Sequence, residues 1–199
     1  ASFTGSLAPR AFAAPAAPRP SFQDILIVGA GPVGLLLANL LAARGERVAV
    51  IDKRQEPPCH SMAIGITPPS LAILKQLGLD TVFCQHGVPV RTARVHEGRE
   101  TIASLGFAAL PAAHRYILSL PQSVTIGLLE RRLAEFPTAS FHRGLACVGL
   151  RQEPDRVHVT VRDHNTGVDR EWVARYVVGC DGHRSLVRAA AGIGLDERW

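Results

Sequence analysis

The chain has 199 residues, of which 47% are apolar and 20% are charged. That length suits one compact domain or slightly more, and the apolar content is too high for a globally disordered chain. The net charge of +5 comes from scattered arginines without a basic run, so no nucleic-acid-binding surface is expected.

Residues 1–23 are rich in Ala, Pro and Ser and contain no acidic residue. Such a stretch buries too little apolar surface to order itself, so we expect a disordered leader. A transit peptide is the alternative, although the four prolines oppose the amphipathic helix that it needs. A single domain is then expected over residues 24–199.

The stretch from Ile25 to Ala43 is almost wholly apolar and about long enough to cross a membrane. Three glycines interrupt it, however, which favours a buried strand, a tight turn and a buried helix over a membrane span. The helix is expected from Pro32 to Gly45, and a second apolar strand follows over residues 47–52. This succession predicts a βαβ unit with parallel strands.

Further along, a helix is predicted after Thr67, and another over residues 122–136. A hairpin is predicted over residues 91–105 and a strand over residues 116–120. Two strands over residues 157–161 and 172–178 alternate in polarity and predict an antiparallel meander. The fold class is therefore α/β, a Rossmann-like βαβ domain with an antiparallel meander.

The first chemical signal is Gly29-Ala30-Gly31-Pro32-Val33-Gly34, a G-x-G-x-x-G between a predicted strand and a predicted helix. In such a turn the first glycine permits the bend, the second lets the backbone approach a pyrophosphate, and the third lets the helix pack closely. The helix N-terminus adds amide donors for phosphates. Asp52 ends the next strand, where a carboxylate accepts from a ribose hydroxyl and repels a 2′-phosphate, so FAD or NAD is favoured.

The second signal is an apolar strand that runs into Gly179-Cys180-Asp181-Gly182, with Ser185 and Arg188 beyond it. Taken alone, this segment is compatible with a turn at Asp181-Gly182 and a short helix capped by Ser185.

Together the two motifs resemble the group A flavoprotein monooxygenases, the aromatic hydroxylases of the p-hydroxybenzoate hydroxylase type. The segment Ser61–Ile66 and the glutamine that opens the predicted helix at position 122 are similar to further family segments. The resemblance implies that FAD is bound by Gly29, Gly31, Pro32, Val33, Gly34, Asp52, Lys53, Arg54, Gln122, Asp181, Gly182, Ser185 and Arg188. It identifies no catalytic residue.

The same resemblance implies the activity of the family. NAD(P)H would serve as transient reductant, and one oxygen atom would pass from a flavin hydroperoxide to a small aromatic substrate, a phenol or a polyketide. Residues 88–120 would supply strands of a partial substrate-domain sheet. We expect a cytoplasmic protein, since the four cysteines are widely spaced and suit reduced thiols.

Two departures from the family pattern stand out. Met62 occupies a position where the family often has a phosphate-binding arginine, and the chain ends at Trp199, before the family's third cofactor motif. We therefore expect the first part of a longer enzyme that by itself binds FAD weakly or not at all. Exposed sheet surface would then favour self-association or a partner chain.

Two other functions remain open from the residues alone. An NAD-linked dehydrogenase would use only the first motif, and a non-catalytic FAD-binding remnant or interaction module would keep the fold without turnover. No metal site is expected, because the histidines lack ligand spacing and are more typical of surface or loop positions.

Overall fold

The computed structural model describes residues 22–57 and 65–196. These residues form two compact units, one of residues 22–57 and 129–196, the other of residues 65–128. The predicted leader and the Ser61–Ile66 segment, Met62 included, lie wholly or mostly outside the described residues.

Helices and strands are interspersed along the described chain. The helices are α1 (Pro32–Ala42), α2 (Pro68–Gln76), α3 (Asp80–His86), α4 (Gln122–Leu133) and α5 (Leu186–Ala190). The strands are β1 (Phe22–Val28), β2 (Val48–Asp52), β3 (Gly65–Ile66), β4 (Val88–Val90), β5 (Thr92–Glu97), β6 (Glu100–Gly106), β7 (Ile117–Ser119), β8 (Ala139–Arg143), β9 (Leu145–Gln152), β10 (Val157–Asp163) and β11 (Asp169–Gly179).

The first unit is built on one six-stranded sheet in the order β8-β2-β1-β11-β10-β9. The strands β8, β2, β1 and β11 are parallel, whereas β11, β10 and β9 form an antiparallel meander. The central β1 is buried along its second half, as expected for an apolar parallel strand covered on both faces. The predicted α/β fold class is confirmed.

Alternating residues of this sheet supply the core of the first unit. Leu26, Ile51, Val159 and Trp172 belong to one buried cluster on one face. α1 contacts β1 and β2, and its Leu35 is fully buried. The burial of such side chains stabilises the fold by about 1.5–3 kcal/mol each.

The second unit contains two small antiparallel sheets, β3-β7-β4 and β5-β6, together with α2 and α3. Its core includes Phe83 and Leu118, which are fully buried. The hairpin β5–β6 turns at Gly98, whose φ of +58° favours glycine. Both strands of this hairpin are exposed, and Val95, Ile102 and Leu105 each leave more than half of their surface accessible.

The sequence predicts the long elements to within a few residues, and the structure adds several that it misses. α3, β3, β4, β8 and β9 are not predicted. β8 shows why: its sequence Ala-Ser-Phe-His-Arg has only Phe141 buried, and pairing with β2 makes it a strand. In the described part of the chain no helix is long and apolar enough to span a membrane.

Two histidines depart from the surface or loop positions expected of them, since His142 lies in β8 and His158 lies in β10, whereas His114 lies in a loop. His114, His142 and His158 are all half-buried in the structure. The His142 ring lies edge-on to Trp172 with 5.3 Å between ring centroids. Burial lowers the pKa of His142 below its usual value of 6.5, because the surrounding protein solvates the imidazolium poorly.

This burial predicts a pH dependence of stability. Since the pKa of His142 is lower in the folded state, the unfolded chain takes up its proton first, and stability falls as the pH drops below about 6.5. His142→Gln should reduce the loss of urea midpoint between pH 7 and pH 5, followed by circular dichroism. The exposed control His164→Gln should leave that loss unchanged. An equal loss in native protein and His142→Gln would contradict the assignment.

Candidate functional site

The candidate site lies at the carboxyl edge of the parallel strands in the first unit. Val28, the last residue of β1, pairs with Ile51 on one side and with Gly179 on the other. The backbone then continues this pairing, since Gly29 N donates to Ile51 O at 2.8 Å and Cys180 N donates to Val28 O at 2.7 Å. The glycine turn and the Asp181 loop therefore leave the sheet side by side. Open α/β sheets bind ligands at this edge, where neighbouring strands lead to opposite sides.

Two glycines of the turn are required by the protein itself. Gly29 has a φ of +107°, and a Cβ built on it would lie 2.3 Å from Cys180 O. A Cβ on Gly34 would lie 2.0 Å from Gly29 O and 3.1 Å from the Cys180 Cβ. Neither distance is compatible with a side chain, so these glycines allow α1 and the Asp181 loop to pack against the end of β1.

Gly31 is different, because nothing in the described chain requires a glycine there. Its φ of −72° and ψ of 177° are open to any residue, and a Cβ would meet no atom within 4 Å. The open space lies at the start of α1, where Gly31 is the N-cap and Pro32 follows it. The first amides of a helix have no intrahelical acceptor and carry partial positive charge. An anionic group thus has both room and donors at this point.

Asp52 is turned towards the glycine turn. It is only 7% exposed, and its Oδ2 accepts a hydrogen bond of 2.7 Å from Ala30 N. Its Oδ1 accepts one of 2.8 Å from Arg54 N. The carboxylate therefore joins the loop after β2 to the loop after β1, and each oxygen retains a further lone pair for a hydroxyl donor.

The loop after β2 forms hydrogen bonds with two other loops of the first unit, at Gly144 and at Asn165. Gly144 N donates to Arg54 O at 3.1 Å, and Gln55 Nε2 donates to Asn165 Oδ1 at 2.9 Å. Lys53 and Arg54 have exposed side chains in this loop. Their charges therefore lie beside Asp52 and the glycine turn.

The Asp181 loop is a capped helix start. Asp181 Oδ2 accepts from Leu186 N at 2.7 Å, and Asp181 Oδ1 accepts from Ser185 Oγ at 2.5 Å. Ser185 is the N-cap of α5, and its Oγ accepts from Arg188 N at 2.9 Å. Gly182 has a φ of +85°. Asp181 thus stabilises the loop that packs on Gly29, and both of its oxygens are engaged within the chain.

Not all predicted residues come together in one unit. Those of the glycine turn, of the loop after β2 and of the Asp181 loop share one edge of the sheet. The Arg188 guanidinium donates to His183 O at 2.8 Å, within its own loop. Gln122 is the first residue of α4 and belongs to the second unit. Its place beside the cofactor remains a prediction.

A charged pair next to Asp52 is not predicted from the sequence. Arg143 of β8 stands beside Asp52 in the strand register, and its guanidinium pairs with Glu130 of α4. Burial raises the pKa of Glu130, although the Arg143 guanidinium opposes this and the nearby Asp52 carboxylate adds to it. No sequence signal marks Arg143, because β8 itself is not predicted.

Comparison with known proteins identifies the family of the chain. Residues 23–198 match the family described as the FAD binding domain. The chain is 40% identical over 173 residues to a rifampicin monooxygenase of Streptomyces venezuelae, covering 85% of this chain and 34% of the relative. It is 34% identical over 180 residues to a 6-methylpretetramide 4-monooxygenase of Streptomyces rimosus, covering 89% and 32%.

Solved structures agree with these relatives. The p-nitrophenol 4-monooxygenase of Pseudomonas putida superposes with a TM-score of 0.83 at 27% identity, over 88% of this chain and 45% of that one. The anhydrotetracycline hydroxylase of Streptomyces rimosus superposes with a TM-score of 0.77 at 33% identity, over 86% and 34%.

The chain spans about a third of the length of the curated relatives it matches. The resemblance to the flavoprotein monooxygenases is confirmed, and an NAD-linked dehydrogenase is not favoured. Neither the carboxylates nor the glycines identify the cofactor by themselves, but the open space at Gly31 fits the pyrophosphate of FAD. The relatives and solved structures that the chain resembles are named as monooxygenases and hydroxylases, and the chain itself belongs to the FAD binding domain family.

Proposed function

We propose that the protein is an NAD(P)H-dependent monooxygenase that hydroxylates a small aromatic or polyketide substrate. The observation that supports a cofactor site is the open space at Gly31, next to the first amides of α1 and to Asp52. Relatives named for rifampicin, pretetramide and tetracycline substrates support a polycyclic aromatic substrate.

The residues of this chain would hold FAD by its adenosine diphosphate half. The backbone at Gly31 and the first amides of α1 would donate to the pyrophosphate, and Asp52 would accept from the ribose. Lys53 and Arg54 would balance phosphate charge, and Gln122 would contact the flavin. Pro32, Val33, Asp181, Gly182, Ser185 and Arg188 would shape the walls of the site. When bound, FAD supplies the electron and oxygen transfer of hydroxylation.

Three broader features of the protein are part of the proposal. Self-association or pairing with another chain would use the exposed apolar residues of the β5–β6 hairpin. A cytoplasmic location is supported by the free thiols of Cys84, Cys147 and Cys180, which suit a reducing compartment. The domain is proposed to span residues 24–199, with residues 88–120 serving the substrate.

A matched pair of glycine variants tests the cofactor site. Gly31→Ala should leave the free energy of unfolding within about 0.5 kcal/mol of native, since its Cβ meets open space. It should weaken FAD binding on the order of tenfold or more, because the methyl group occupies the position of the pyrophosphate. Gly34→Ala should cost about 1–3 kcal/mol in stability, since its Cβ would overlap Gly29 O.

Flavin fluorescence titration and urea unfolding measure the two effects separately. Native FAD affinity in Gly31→Ala, with stability unchanged, would contradict a pyrophosphate at this turn. Destabilisation of Gly31→Ala equal to that of Gly34→Ala would show that Gly31 serves packing instead.

An isotope experiment tests the activity. The whole protein with FAD, NAD(P)H, rifampicin and isotopically labelled dioxygen should give a product that carries one labelled oxygen atom, while the other atom leaves as water. Mass spectrometry detects the product, and free FAD without protein provides the background. NAD(P)H oxidation in which all labelled oxygen appears as hydrogen peroxide would contradict the hydroxylase. No NAD(P)H oxidation above the free-FAD background would favour the non-catalytic alternative.

A further inference from the structure

The second unit contains a row of four polar side chains that are not part of the proposed FAD site. Asp80 and Cys84 lie four residues apart on one face of α3. The Cys84 Sγ is 3.1 Å from the Tyr116 hydroxyl, and the same hydroxyl is 3.1 Å from His114 Nδ1. His114 Nε2 lies 3.6 Å from Asp80 Oδ2. A thiol, a phenol, an imidazole and a carboxylate therefore follow one another in a line.

The Tyr116 hydroxyl stands between the thiol and the imidazole as a neutral group. Its hydrogen bond with Cys84, reinforced by burial, raises the pKa of Tyr116 to about 12, so it keeps its proton at physiological pH. A phenol donates one hydrogen bond and accepts others. Either Cys84 donates to Tyr116 and Tyr116 to His114, or His114 donates to Tyr116 and Tyr116 to Cys84. In the switch from the first arrangement to the second, the Cys84 proton passes to Tyr116 and the Tyr116 proton passes to His114.

His114 ends this row of side chains beside a carboxylate. The buried His114 Nε2 makes no hydrogen bond within the described chain, and Asp80 Oδ2 lies 3.6 Å from it. The His114 and Asp80 side chains are each only 18% exposed, so water screens their attraction weakly. The Arg91 guanidinium lies 5.5 Å from the centroid of the Tyr116 ring and adds a positive charge next to the phenol.

We propose that Cys84 is a site of oxidation by hydrogen peroxide, activated by transfer of its thiol proton through Tyr116 to His114. The inference does not rest on the FAD site, because the four residues belong to the unit of residues 65–128. Thiolates rather than thiols attack peroxides, which is why a proton acceptor linked to the sulfur determines the reactivity.

The reaction balances without any further group. The Cys84 thiolate attacks one oxygen of hydrogen peroxide, a sulfur–oxygen bond forms, and the oxygen–oxygen bond breaks. The leaving hydroxide takes the proton of the His114 imidazolium, relayed by Tyr116, and departs as water. Cys84 is oxidised by two electrons to the sulfenic acid, and the peroxide is reduced to water and the sulfenic hydroxyl.

Two other cysteines of the chain provide internal controls. Burial raises the pKa of Cys147 to about 11, and burial with the Asp181 carboxylate raises the pKa of Cys180. Both thiols therefore stay protonated near neutral pH and react slowly. Like Cys84, they are free and half-buried, so exposure alone does not separate the three.

Sulfenic acid trapping on the full chain tests the proposal. After a short exposure to hydrogen peroxide at pH 7, dimedone labelling and peptide mass spectrometry should show Cys84 oxidised about ten times faster than Cys147 or Cys180, since an ordinary thiol is only a few per cent ionised there. Equal rates at the three cysteines would overturn the proposal.

Variants separate the proton relay from mere exposure. Tyr116→Phe and His114→Gln should each slow Cys84 oxidation about tenfold at pH 7, and the rates should converge with native near pH 10, where hydroxide ionises the thiol directly. Tyr176→Phe is the matched control, because its ring also lies under an arginine, at 5.3 Å. Native rates at pH 7 in Tyr116→Phe, or rates that stay low near pH 10, would overturn the relay.

Discussion

Two backbone hydrogen bonds at the end of β1 determine the rest of the candidate site. Gly29 N donates to Ile51 O, and Cys180 N donates to Val28 O. The end of β1 is therefore joined to the ends of both β2 and β11. Because strand register is fixed by pairing on both sides of β1, the loops that follow cannot shift without turning buried side chains outwards. The glycine turn, the loop of Asp52 and the Asp181 loop are therefore held at one point by the sheet itself.

This constraint explains why the three glycines of one motif are not equivalent. Gly29 and Gly34 permit contacts that the protein makes with itself, since a Cβ on either would overlap backbone oxygen. Gly31 borders open space, and the reason for its small size lies outside the described chain. A sequence motif lists all three alike, whereas the structure separates the two that support the fold from the one that borders open space.

The sequence predicts what is encoded by local pattern. The apolar runs of β1 and β2, the proline at the start of α1 and the cap at Ser185 appear where expected, whereas α1 ends at Ala42, before Gly45. What it misses depends on distant partners. β8 has no apolar alternation and exists because β2 pairs with it, so Arg143 beside Asp52 could not be anticipated. The same holds for His114 and Tyr116, which contact a helix thirty residues away along the chain.

The two carboxylates at the site also accept hydrogen bonds from the protein itself. Asp52 accepts from two backbone amides, and Asp181 accepts from two amides and a hydroxyl. Hydrogen bonds from amides spread the negative charge and fix the loops, which reduces repulsion of a nearby phosphate. The attraction for an anion is then left to the first amides of α1 and to the exposed charges of Lys53 and Arg54. An anionic group at the start of α1 would thus meet two acids whose oxygens already accept hydrogen bonds from the surrounding backbone.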